Sequence, residues 1–236
     1  MAVSVDIKKL LEAGAHFGHT SSRWHPKMAG YIHSKRAGNH IVDLVQTVKA
    51  IEKALPVIEE TVAAGKQVLL VGTKRQAKDL VKKAAEETGM PYVTNRWVGG
   101  MLTNTTTING RIKYLQDLEN KMASGELESR FNKLEVQRFQ EEIEQMNLLY
   151  GGIKDLRGKP GLVYVTDVVA DHLAVKEARR LGVPVVGVVD TNADPTPIDY
   201  VIPANDDALK AIQLLLDYVV EAINAGKAKQ KKEKAE

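Results

Sequence analysis

The sequence contains no cysteine. That absence removes disulfides, thiolate nucleophiles and cysteine-based zinc sites together. No apolar run approaches the roughly 20 residues needed to span a bilayer, so no membrane partner is expected. Met1–Leu10 carries no apolar signal segment, and the expected location is cytoplasmic. Neither glycine-rich phosphate turn is present: G-x-G-x-x-G and G-x-x-x-x-G-K-[ST] are both missing. A dinucleotide or nucleoside triphosphate therefore has no backbone cradle to approach.

What is present is a chain of 236 residues, 44% hydrophobic and 27% charged, enough to bury a core in one or two domains. The net charge of +3 conceals a separation. Residues 1–102 hold 15 Lys and Arg against 9 Asp and Glu, residues 103–226 hold 13 against 19, and residues 227–236 hold 5 against 2. A basic first part and a basic tail point to a polyanion as partner, with solvated surface as the plainer alternative.

Three continuous β-branched runs, Val68–Val71, Leu162–Val165 and Val183–Val189, read as strands buried on both faces. Pro91–Val93 and Tyr200–Ile202 are weaker strand candidates. Helical patterns alternate with them: Gln76–Thr88 closed by Gly89, a helix capped by Asp171 and closed by Gly182, and one capped by Asn205 or Asp206 and ended by Gly226. Alternation of this kind predicts a three-layer α/β sheet. Residues 103–150 lack any strand signal. Ile108, Ile112, Leu115 and Met122 form one helical stripe, and Phe131, Leu134, Phe139, Ile143 and Met146 another, divided at Ala123-Ser124-Gly125. Two such helices predict an antiparallel hairpin, either projecting as a coiled-coil arm or lying flat on the main domain. Residues 1–40 read as an ordered N-terminal extension, followed by a helix over Ile41–Ala64 that Pro56 is expected to kink or break.

Four segments are candidates for chemistry. Gly72-Thr73-Lys74-Arg75 follows the first strand and opens a helix, where cations oppose the helix dipole unless an anion answers them. Nucleic-acid phosphate reached by Lys74 and Arg75 fits, and two exposed loop cations are the alternative. In the extension, Arg23, Trp24, Lys27, Lys35 and Arg36 interleave with His16, His19, His25, His33 and His40. Cations among aromatic rings suit an RNA surface; His16-x-x-His19 lacks a third ligand at a diagnostic spacing, and no metal is expected. Thr94-Asn95-Arg96-Trp97-Val98-Gly99-Gly100-Met101-Leu102-Thr103-Asn104 places a cation and a flat ring beside a flexible turn. Arg96, Trp97 and Asn104 read as an RNA contact or as a Gly-Gly turn with a packed Trp. The acidic loop Asp190–Asp194 with Asp206 and Asp207 could take Mg²⁺, but Asx turns and helix caps account for it more simply. No convergent nucleophile and base are visible, so no enzyme, cofactor or small-molecule substrate is expected.

Long blocks of this sequence resemble the bacterial ribosomal protein S2 family over about Leu10–Gly226. They include Leu11-Glu12-Ala13-Gly14-Ala15-His16-Phe17-Gly18-His19, Trp24-His25-Pro26-Lys27-Met28, His40-Ile41-Val42-Asp43-Leu44, the stretch Asn95–Asn104, Gly151-Gly152-Ile153-Lys154-Asp155 and Ile202–Ala208. His33–Asn39 departs from the family's usual aromatic–glycine pair and Arg-Asn-Gly. The resemblance implies a flavodoxin-like five-stranded parallel sheet of order 2-1-3-4-5, formed by 1–102 and 151–226, with an inserted helical hairpin over 103–150 and a Lys-rich flexible tail over 227–236. It also implies a structural role on the 30S subunit between head and body, with 16S rRNA and neighbouring small-subunit proteins as partners. Recruitment of small-subunit protein one and mRNA belongs to the same implication. The competing readings are a nucleotide-using enzyme and a metal-dependent hydrolase built on Asp190–Asp194 and the histidines.

Overall fold

A computed structural model describes residues 5–233, with side chains to residue 231. Five parallel strands form its centre: β4 (Val68–Val71), β5 (Tyr92–Val93), β6 (Leu162–Val165), β7 (Val185–Val189) and β8 (Tyr200–Pro203). Their spatial order is β5-β4-β6-β7-β8, which is 2-1-3-4-5 in chain order. The β4–β6 register pairs Val68 with Leu162 and Leu70 with Tyr164.

Alternation along these strands divides the core. Val68, Leu70, Leu162, Tyr164, Val186 and Val188 enter one apolar cluster, covered by helices α2 (Leu44–Ala63), α3 (Lys78–Thr88) and α8 (Leu209–Glu233). Leu69, Val71, Val163, Val165, Val185 and Val189 enter the other, covered by α4 (Thr105–Ala123), α6 (Lys133–Tyr150) and α7 (His172–Arg180). Successive side chains of a strand point to opposite faces, so helices on both faces explain why each run is apolar throughout. Tyr164 is fully buried, and its hydroxyl has no partner among the described residues.

Two expected breaks do not occur. The helix α2 runs unbroken through Pro56, because Ala54, Leu55 and Ile58 are packed into the core on either side of an exposed proline. Helix α8 continues past Gly226 to Glu233. Gly226 serves contact rather than termination: a Cβ there would lie 2.5 Å from the Glu59 carbonyl oxygen and 2.8 Å from Val62 Cβ. Gly89 and Gly182 do close their helices, with φ of 55° and 63° in the left-handed region.

Within 103–150, a short helix α5 (Glu126–Arg130) lies between α4 and α6. Ile108, Ile112, Leu115, Met146 and Tyr150 belong to the same cluster as the sheet residues Leu69 and Val163. Asn147 donates to Glu119 at 2.7 Å, tying α6 to α4. Farther along, Phe131 and Leu134 are exposed.

The extension has more regular structure than its sequence signals. After α1 (Ile7–Glu12) come β1 (Phe17–Thr20), a 3₁₀ turn (Pro26–Tyr31), β2 (Ile32–Arg36) and β3 (Asn39–Val42), forming an antiparallel sheet of order β1-β3-β2. Arg36 pairs with Asn39 across a two-residue loop in which Ala37 and Gly38 have φ of 49° and 84°. Positive φ at both positions is the hairpin conformation that matches strand twist. His40–Val42 thus belongs to a strand, and α2 starts only at Leu44, capped by the Asp43 side chain.

Candidate functional site

In open α/β sheets the ligand crevice lies outside the carboxyl ends of the strands, where strand order reverses. Here that point is between β4 and β6. The loops leaving β4, β6, β7 and β8 bring Lys74, Asp167, Asp190, Asp206 and Asp207 together. Lys74 Nζ lies 2.7 Å from Asp207, 2.8 Å from Asp206 and 3.1 Å from Asp167. Burial alone would lower the Lys74 ammonium, but Asp206 and Asp207 outweigh it and raise its pKa. Burial, with Asp167 and Asp190 nearby, pushes Asp206 up to about 7 against the pull of Lys74. The anion that answers Lys74 is therefore supplied by the chain itself.

His19, from β1, completes this cluster. Its Nδ1 lies 3.1 Å from Asp190 and its Nε2 3.4 Å from Asp207. The hydrogen bond to Asp190 raises the imidazole pKa, opposed by burial. His19, Asp206 and Asp207 could each give one ligand atom to a cation, all within 4.8 Å of one another. Lys74 already bonds two of those three residues, Asp206 and Asp207.

Neighbouring groups are equally committed. Asp171 does not cap α7 with its side chain. Its carboxylate crosses to β4's loop instead, accepting from Thr73 N at 3.1 Å and Thr73 Oγ1 at 2.8 Å. Asn205 closes a turn ahead of α8, accepting from Asp207 N and Ala208 N before the helix begins at Leu209. Gly72 is required by packing: a Cβ there would lie 2.7 Å from both Thr166 Oγ1 and Val81 Cγ2.

At the β5 edge, one carboxylate organises the turn that carries Arg96. Glu177 of α7 accepts from Trp97 Nε1 at 3.0 Å, Gly100 N at 2.7 Å, Leu102 N at 2.9 Å, Thr103 N at 3.1 Å and Thr103 Oγ1 at 3.1 Å. Burial would raise this carboxyl, but the donors from Trp97, Leu102, Gly100 and Thr103 prevail and hold it below the usual range. Trp97 is only 6% exposed. Arg96 beside it is exposed, and Asn104 caps α4, also exposed.

The extension is clasped to the loops of the sheet by hydrogen bonds, most of them between backbone groups. His25 N donates to Thr191 O at 2.7 Å, His19 N to Thr191 Oγ1 at 2.9 Å, and Asn205 N to Ala15 O at 3.0 Å. Its outer surface carries Arg23, Trp24, Lys35 and Arg36, all exposed. The β2–β3 register sets Lys35 opposite His40, whose ring centroid lies 5.3 Å from that of Trp24. Lys27 instead pairs with Asp194 at 3.1 Å and donates to Thr196 at 2.7 Å.

The sequence profile of ribosomal protein S2 matches residues 10–226. The chain belongs to the ribosomal protein S2 family. It is 48% identical over 232 residues to the small ribosomal subunit protein uS2 of Oleidesulfovibrio alaskensis, covering 98% of this chain and 89% of that one. It is 46% identical to the uS2 proteins of Maridesulfovibrio salexigens over 231 residues and Dehalococcoides mccartyi over 228 residues. These alignments cover 98% and 95% of this chain, and 89% and 93% of the relatives. The family match takes in the N-terminal sheet, the helices over 103–150 and the whole parallel sheet.

Of the residues singled out in the sequence, Arg23, Trp24, Lys35 and Arg36 gather on the extension. Arg75 stands exposed beside Lys74, and Arg96 and Asn104 stand at the β5 edge. The side chains of Arg23, Lys35, Arg36, Arg75 and Arg96 make no ion pair or hydrogen bond among the described residues. Sequence reasoning did not find Asp167 or Glu177. Asp167 had a usable signal, since Thr166-Asp167 directly follows the apolar run of β6. Glu177 only borders the buried stripe Ala174, Val175 and Ala178, and its five donors come from residues about 75 to 80 positions away.

Proposed function

We propose that the protein is a structural constituent of the small ribosomal subunit that binds RNA and has no catalytic step of its own. It lies in the cytoplasm on the 30S particle and binds 16S rRNA at the junction of head and body. There it contacts neighbouring small-subunit proteins and supports recruitment of small-subunit protein one and mRNA. Family membership supports the ribosomal role, since the relatives are small-subunit proteins by name.

The observation that carries the reading is a contrast in charge. Lys74 at the sheet's ligand edge is held by three carboxylates of the chain itself, while Arg23, Lys35, Arg36, Arg75 and Arg96 are exposed without partners among the described residues. Unpaired surface cations suit phosphate, and the Trp24 ring, 39% exposed, offers a base a stacking face. Lys74 and Trp97 serve indirectly, by fixing the loops that carry Arg75 and Arg96; Lys27 and Asn104 lie at the margins of the same surfaces. The helices α4 and α6 act as an antiparallel arm rooted in the core by Ile108, Ile112 and Tyr150, with the exposed Phe131 and Leu134 toward its outer end.

The test is sedimentation of a lysate expressing the tagged chain. Co-migration with 30S particles is expected, and its loss is expected in Arg23→Ala/Lys35→Ala/Arg36→Ala. A wild-type chain that stays in the soluble fraction refutes the assignment.

A further inference from the structure

A separate cleft, lined by three lysines, lies away from all of these residues but Lys27. It opens between the first turns of α2 and the loop joining β7 to β8, with a volume of about 700 Å³. That is within the roughly 300–1,000 Å³ typical of clefts that hold small ligands. Lys49 and Lys53 of α2 line it, four residues apart and so one turn apart on the same helix face. Neither makes an ion pair or hydrogen bond among the described residues. Two half-buried tyrosines, Tyr31 and Tyr200, line the same space. Gln46 lines it too, and its amide nitrogen is spent on Gly30 O and Asp43, leaving the amide oxygen as an acceptor. Lys27 is neutralised by Asp194. The one carboxylate in the lining, Asp199, is engaged by the Val185 amide at 2.8 Å.

Two unpaired ammonium groups one turn apart, lining one cleft with two tyrosines and an amide, match one kind of ligand. Phosphates need the cations, an unpaired base needs the rings, and its edge needs the amide. A duplex would bury its bases from the tyrosines. We infer that this cleft holds an unpaired segment of a single RNA strand, its phosphates on Lys49 and Lys53 and a base against the tyrosines. The inference rests on the RNA-binding reading but assigns a different surface, on the β8 side of the sheet.

The test is fluorescence anisotropy of the full chain with a labelled, unstructured RNA octamer across a salt series. Lys49→Ala/Lys53→Ala should weaken binding about tenfold and reduce the log–log salt slope by about 1.4, since each single-strand phosphate contact contributes roughly 0.7. Tyr200→Leu, which keeps apolar bulk but removes the ring, should weaken binding about tenfold with the salt slope unchanged. Lys82→Ala/Lys83→Ala on α3, which packs by β4 and β5 at the opposite edge of the sheet, makes the same charge change as a control. Equal losses from the two double variants would overturn the inference, as would AMP competing as well as the octamer. Entry of the wild-type chain into 30S particles is scored separately, so an ordinary cleft in a ribosomal chain is told apart from a chain that is not ribosomal.

Discussion

The crevice around Lys74 and the outer surface of the N-terminal sheet are both rich in charge, and they use it in opposite ways. Within the crevice the charged groups are engaged by the chain itself: Lys74 by three carboxylates, His19 by two, and Asp171 by the Thr73 hydroxyl. On the extension, Arg23, Lys35 and Arg36 stand in solvent with no partner among the described residues. A charge removed from water must be compensated where it sits, whereas an exposed one costs little and remains available to a partner. The number of charged side chains in a region therefore says less about binding than whether they are already paired.

The sharpest way to break this contrast is to unpair the crevice. Lys74→Met should leave Asp167 and Asp206 facing each other without a cation and destabilise the fold by about 3 kcal/mol, read by urea unfolding. A change below about 0.5 kcal/mol would mean that the crevice is as dispensable as the surface. Glu177→Gln comes next. An amide keeps one acceptor oxygen but points N–H groups at backbone donors, so a loss of about 2 kcal/mol is expected. Full stability in that variant would show that the Arg96 turn holds itself.

A pH series separates the regions without large structural change. The folded pKa of Asp206 is pushed up to about 7 and that of His19 is also raised, so the folded chain holds both protons more tightly than the unfolded chain. Their stabilisation is fullest on the acid side and is lost as pH rises through the folded values. Unfolding free energy should fall between about pH 5 and pH 8, with a shallower slope in His19→Gln/Asp206→Asn. An unchanged slope would locate the titration elsewhere.

The smallest effects on stability belong to the extension. Arg23→Ala/Lys35→Ala/Arg36→Ala should shift stability by no more than about 0.5 kcal/mol per residue while lowering the salt dependence of RNA binding. Ala37→Asn should stabilise by about 0.5 kcal/mol, because Ala37 holds a positive φ that Asn tolerates better. A loss of stability there would mean that the Ala37 methyl is doing packing work.

These regions also differ in how readily they are read from sequence. Three of the five parallel strands announce themselves as short β-branched runs closed by glycine or proline, because burial on both faces leaves no room for polar residues, whereas the half-buried edge strands β5 and β8 are weaker signals. The strands of the N-terminal sheet do not: Ile32–Arg36 is exposed along most of its length, so no alternation marks it. Lys74 was legible as a cation in want of an anion, but composition cannot say whether that anion is a ligand or three aspartates up to 133 residues away. Gly226 misleads for a related reason, since a glycine that ends a helix and one that admits a neighbouring helix look alike until the neighbour is known. Asp171 is ambiguous in the same sense, as a carboxylate before a helix serves equally as cap or as cross-link.

The chain's two tryptophans fall one on each side of this divide. Trp97 is enclosed with its indole N–H on Glu177, and Trp24 is 39% exposed beside His40. Their emission is consequently a two-channel optical readout. Trp97→Phe leaves a red-shifted signal open to iodide quenching, and Trp24→Phe leaves a blue-shifted, shielded one. A ligand that settles on the extension would then change one colour of light, and a loosening of the Glu177 turn would change the other.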